Sequence, residues 1–192
     1  MRPLPVDLRS EEITAYCRCT FQVLERRKRK MLDTVEGWAP EWLTYAPGPE
    51  AWSMLQLFDH LIRTERSVRE TSERNLAQQQ SRASLRERWR AGRFLFMFRL
   101  PIRVRVPRAA SFVQPGRPTS IASVVQEWNE ERHFLYDFLA RQGKNTLQST
   151  AMRHPAIGAM SLRNALRFLV VHLQHHEFQV LRLRWAVSQA FL

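Results

Sequence analysis

The chain has 192 residues, 44% of them hydrophobic, with no low-complexity tract. That is enough for one domain with a sizeable core and excludes a disordered chain. Its 30 basic and 18 acidic residues leave a net charge of +12. A balance of that kind normally raises nucleic acid as a partner. Apart from Lys28, Lys30 and Lys144, however, every basic residue is an arginine, and these are spread through every segment instead of forming one stripe. A nucleic-acid partner is therefore not expected.

The first ten residues, Met1 to Ser10, contain no apolar leader-like stretch. Runs such as Phe168–Val171 fall far short of the about 18 residues that a membrane span needs. A cytoplasmic protein without a membrane span is expected.

Helical periodicity first appears from about Ser10, an N-cap candidate with Glu12 close behind, to Glu36 before Gly37. Cys17 and Cys19 fall on different sides of this helix, so no disulfide between them is expected. The run Arg26-Arg27-Lys28-Arg29-Lys30 lies inside it and reads as a solvated face. A Pro- and Gly-rich loop (Pro40, Pro47, Gly48, Pro49) follows. A second helix starts near Trp52-Ser53 and continues to about Gln80, with Met54, Leu55, Phe58, Leu61, Ile62 and Glu65 on one face.

Residues 81–118 form a long connection in which Trp89, Phe94, Phe96, Met97 and Phe98 alternate with Arg88, Arg90, Arg93 and Arg99, ahead of Pro101–Pro107. It is expected to fold back over the open side of the molecule, with contact to lipid or a partner as the alternative. A third helix spans about Thr119-Ser120 to Arg141, with Ile121, Val124, Val125, Trp128, Arg132, Leu135, Phe138 and Leu139 in its stripe. The fourth begins near Ser161 and passes Leu183, with Leu162, Ala165, Leu166, Leu169, Leu173, Val180 and Leu183 inward. No stretch alternates long enough to build a sheet. The fold class is all-α: a four-helix bundle with a long crossover between helices 2 and 3, in one domain over 1–192.

Two of the histidines in the fourth helix, His172 and His176, are one turn apart on its apolar face, about 5–6 Å apart at Cβ. That spacing suits two ligands of one metal ion, or two core histidines bonded to neighbours. His175 is turned towards solvent, and His133 faces away from its own stripe. His60 lies at the edge of the second helix's apolar arc, a border position that reaches a groove without burial. His154, before Pro155, falls on the loop entering the fourth helix, where it can cap that helix or line a pocket mouth. Glu65 and Arg132 both fall within apolar stripes, where an unpaired charge would cost several kcal/mol. They are expected to pair across the bundle, with Arg132 facing an anionic substrate group as the alternative. Gln179, one turn beyond His176, is placed either to hydrogen-bond an imidazole or to fasten a helix. Asp59 and Glu177 point elsewhere.

Trp52-Ser53, His60-Leu61 and Glu65 resemble the W-S-x6-H-L-x3-E signature of the DinB/YfiT-like superfamily. His154-Pro155-x-x-Gly158, followed by His172-x3-His176-x2-Gln179, resembles its C-terminal elements, and Arg132 falls on the matching third helix. The likeness covers about residues 35–190. It implies a bundle with a divalent metal, zinc or nickel, held by His60, His172 and His176. Family members are often homodimers. Characterised relatives include S-transferases that use low-molecular-weight thiols, and others are described as metal-dependent hydrolases. The implied function is metal-assisted thiol transfer or hydrolysis on a small-molecule substrate. The alternative is a non-catalytic bundle that binds a ligand or partner. Three imidazoles leave a coordination position open, which is the arrangement of a catalytic and not a closed structural site.

Overall fold

The computed structural model describes residues 14–78, 84–97, 111, 113–118, 120–154 and 158–191. Helix α1 spans Ala15–Asp33, and the Thr14 hydroxyl caps it by accepting from the Cys17 N–H. The Ser10–Glu12 start lies outside the described residues. After Asp33 the backbone continues as tight turns to Gly37, whose φ of 75° is the left-handed conformation that favours glycine. The Pro- and Gly-rich loop contains one short helix, α2 (Pro40–Thr44), with proline in its first turn.

Helix α3 spans Met54–Ala77 and opens on a capping box: Ser53 accepts from the Gln56 N–H while the Gln56 side chain accepts from the Ser53 N–H. Within the long connection lies α4, Leu85–Met97. Its Ala91 and Leu95 are buried as it packs on α6 and on the hairpin described next, so this part of the connection does cover the bundle. Residues 98–110 lie outside the described set. Helix α5 spans Ile121–Ala140 behind an N-capping Ser120.

A 3-10 turn, Lys144–Gln148, leads into an antiparallel hairpin of β1 (Thr150–His154) and β2 (Gly158–Ser161). The sequence has no stretch that alternates long enough to build a sheet, and this two-stranded hairpin is a small addition to the all-α bundle. Each strand is too short to show a sustained alternation, and three of the five β1 residues are buried in a row. The pair is held by its surroundings: β1 and β2 pack on α6, β1 also packs on α3, and Asn75 of α3 donates to the Ala151 carbonyl at 2.8 Å. Helix α6 then runs from Leu162 to Phe191.

The four long helices form a ring in which α3 contacts α5 and α6, and α1 also contacts α5 and α6. Ion pairs give their directions. Arg66–Glu127, Arg69–Glu131 and Glu73–Arg141 rise together in number, so α3 and α5 run parallel, as the long crossover between them permits. Tyr16 to Arg163 and Arg27 to Glu177 show that α1 and α6 are also parallel. Phe21–Tyr136 and Lys28–Asn129 run in opposite senses, so α1 is antiparallel to α5.

Trp128, Phe21, Phe58, Leu24, Leu57 and Leu61 are among the largest fully buried side chains at the centre. Burying a side chain of this kind contributes about 1.5–3 kcal/mol. The basic run of α1 is not uniformly solvated: Arg26, Arg29 and Lys30 are exposed, but Lys28 is buried, bonded to Asn129 and paired with Glu25. Cys17 is buried and Cys19 exposed, both as free thiols. Among the described residues, no helix is long and apolar enough to cross a membrane.

Candidate metal centre

His60 sits two turns into α3 and faces α6, which presents His172 and His176 one turn apart. All three are buried, at 2%, 6% and 7% exposure. The border position expected for His60 is corrected: the crossover's return segment covers it, and a wheel of one helix cannot show that. The His172 Nε2 lies 3.3 Å from the His60 Nε2 and 3.2 Å from the His176 Nε2. These residues are the only such group among the described residues, with one ligand atom from each within 4.8 Å of the others.

The outer nitrogens decide which lone pairs face inward. His60 Nδ1–H donates to the Val113 carbonyl at 2.7 Å, and His176 Nδ1–H donates to Gln179 Oε1 at 2.9 Å. A neutral imidazole protonated at Nδ1 presents its Nε2 as a lone pair. His172 Nε2 can carry one proton and so satisfy only one of the two lone pairs facing it. Three nitrogens therefore converge with more acceptor than donor capacity, a fit for a cation. Two nitrogens bound at the usual distance of about 2.0–2.1 Å to a tetrahedral ion stand about 3.3 Å apart, close to the spacing seen here.

Burial pushes all three imidazoles below their ordinary pKa. For His60, the Val113 carbonyl and Asp59 oppose that effect. For His172, the neighbouring histidines add to burial and hold it well below 6.5. His176 is also well below 6.5, through burial and then His60 and His175, against the bond to Gln179. At neutral pH the cluster is uncharged, the form that ligates metal.

Its walls are aromatic. The Trp52 ring lies 4.7 Å from that of His60, and the Phe168 ring 5.3 Å from that of His172. The His154 ring lies 5.2 Å from that of Phe168 and 5.4 Å from that of Phe94 of α4. It lies at the end of β1 and not on a loop, and burial lowers its pKa. His175, expected in solvent, is buried at 7% with its ring 5.3 Å from that of His176. The additional packing on α6 covers a face that a four-helix wheel leaves open.

Glu65 and Arg132 do pair, with Arg132 Nη2 donating to Glu65 Oε1 at 2.8 Å, and Trp128 Nε1–H donating to the other oxygen at 3.2 Å. They lie between α3 and α5, with Glu25 of α1 at 3.4 Å from Arg132. The structure therefore brings Gln179 to the histidines and places Glu65 and Arg132 in the core between α3 and α5. Glu177 pairs with Arg27 and Lys30.

Asp59 does more than its sequence context suggests. Buried at 5%, it accepts from the Gly116 N–H at 2.5 Å and from Arg63 Nε at 2.7 Å. It thus ties down the strand of chain whose Val113 carbonyl orients His60. A Cβ on Gly116 would come within 2.8 Å of Arg63 Nη2, the far end of a flexible side chain that can shift aside. Neither Val113 nor Asp59 could be found from sequence: Val113 acts through its backbone, and Asp59 resembles any polar residue on a helix.

A profile of the DinB superfamily matches residues 23–180. The chain belongs to the DinB superfamily. A crystal structure described as "TT2238, a four-helix bundle protein" superposes on this DinB-superfamily chain with a TM-score of 0.52 at 17% identity. The match covers 86% of this chain and 98% of that one, a likeness of fold. No curated protein matches this DinB-superfamily chain significantly.

Proposed function

We propose that this DinB-superfamily protein binds a divalent metal, zinc or nickel, through His60, His172 and His176, and uses it for thiol transfer or hydrolysis on a small molecule. The convergence of three neutral imidazoles, two of them with outward Nδ1–H bonds, carries the reading. A bound divalent ion would supply Lewis acidity, lowering the pKa of a water or of a low-molecular-weight thiol at its open position.

The chain's own residues supply the rest. Val113 and Gln179 hold two imidazoles in the tautomer that ligates, which also raises their basicity as ligands. Trp52 and Phe168 restrict water around the ligand set. His154, neutral and half-buried beside Phe168, lines the same aromatic wall and offers a group able to accept a proton. Glu65 and Arg132 serve the bundle, holding α3 against α5. By family resemblance the working form is a homodimer.

Elemental analysis of protein purified without a histidine tag tests this reading. About one zinc or nickel per chain is expected for the native sequence and almost none for His172→Ala. No metal in the native protein after incubation with either ion would overturn it.

A further inference from the structure

Helix α4 has two apolar faces, and the fold uses only one. Ala91 and Leu95 are buried against β2 and α6. Leu85, Trp89 and Phe96 are 79%, 64% and 68% exposed. Their spacings of four and seven place them one above another, with Gly92 between, at 3.6 residues per turn. Arg86, Arg90 and Arg93 fall on one flank of this stripe and Arg88 on the other, all exposed. Arg93 lies over the Trp89 ring at 4.8 Å, and the two line a shallow groove with Arg88, Gly92 and Phe96.

An outward row of large apolar side chains with cations along both edges suits the boundary of a bilayer. Trp and Phe enter the headgroup–acyl boundary while arginines reach up to phosphate. We propose that α4 is a membrane-docking helix that seats the protein on an anionic lipid surface through Leu85, Trp89 and Phe96, with Arg86, Arg88, Arg90 and Arg93 on the headgroups.

Charge selects this occupant over a second copy of the chain. A two-fold dimer through this face would set each patch against itself. The four arginines of one copy would then meet four of the other. The acidic residue of the helix, Glu87, is already bonded to the Ser84 hydroxyl and N–H. A bilayer surface instead offers anions to every arginine and yields to protruding rings. The helix lies along the surface and does not cross it: 13 residues span about 20 Å, short of a bilayer core.

Co-sedimentation of the full chain with phosphatidylcholine vesicles, with and without roughly a third phosphatidylserine, tests the proposal. Binding to the anionic vesicles alone, weakened by salt, is expected. Trp89→Ala with Phe96→Ala should weaken it at least about tenfold. Arg88→Gln with Arg93→Gln should weaken it about 25-fold, from about fivefold per arginine. All the altered side chains are exposed, and unchanged thermal melting of each variant is the fold control.

The decisive comparison is Arg26→Gln with Arg29→Gln, which removes two exposed charges from a basic groove shared by α1 and Arg184. Binding retained within about twofold supports docking by α4. An equal loss would mean that the net charge of the whole surface binds, and would overturn the proposal. So would absence of vesicle binding, as expected for a face that meets an acidic protein, or an effect of the Trp89/Phe96 pair on dimerisation alone.

Discussion

Replacing Arg132 by Met should expose how the interior manages charge. The residue is 0% exposed and Glu65 is 1% exposed. Arg132→Met removes the cation and one of the two hydrogen bonds on the carboxyl, leaving Glu65 with Trp128. Breaking a buried pair by deleting one member costs about 3–5 kcal/mol. For a chain of this size, 1 kcal/mol moves the melting temperature by about 2–4 °C, so a fall of about 6–20 °C is expected.

The pH dependence gives a further signature. Burial already holds the Glu65 carboxyl above its usual 4.5, against the pull of Arg132. Without Arg132 that rise is less opposed. A folded-state pKa raised above the unfolded one means stability present below about 4.5 and lost as pH rises through the folded value, at up to about 1.4 kcal/mol per pH unit. The deficit of Arg132→Met should therefore be largest at pH 8 and shrink on acidification towards 5. Adding Glu65→Leu should recover most of the loss, because an apolar pair replaces a stranded charge. Urea and thermal melts of the native, single and double variants between pH 5 and 8 measure this. A single variant as stable as the native protein, a deficit that does not shrink on acidification, or a double variant no better than the single would refute the reasoning.

Asp59→Ala should release the chain that orients His60 and lower zinc affinity by about 10–100-fold in chelator competition, with helicity retained. Affinity within about twofold of native would mean that Val113 holds His60 without this tie. Ser53→Ala removes the hydroxyl half of the capping box on α3 and should cost about 1 kcal/mol, read as a fall of about 2–4 °C in melting temperature.

The sequence made the bundle readable because its long helices keep one apolar face for five turns or more. The stripes through Phe58 and Leu61, through Trp128 and Leu135, and through Leu166 and Leu169 are buried, apart from the half-buried Ile121 at the start of the second of these. Packing contributed by other segments was not readable. His60 and His175 are peripheral on isolated wheels, yet both are buried where Val113 returns and where other residues cover α6. The hairpin from Thr150 to Ser161 has almost no pattern of its own and depends on α3, α4 and α6. Helix α4 was hidden because arginines and aromatic residues alternate along it in number while separating in angle.

The centre joins residues from far-apart stretches of chain: His60 and His172 are 112 positions apart, and Val113 is 53 positions from His60. Contacts at such separation demand long loop closures, which come late in folding and slow it. A metal ion bound there would thus secure a junction formed after the helices have largely docked. Stabilisation absent from the folding transition state shows up in the unfolding rate, with little effect on the folding rate. Occupancy of the three histidines would then act as a clasp on the finished bundle, setting how long it stays folded and not how quickly it forms.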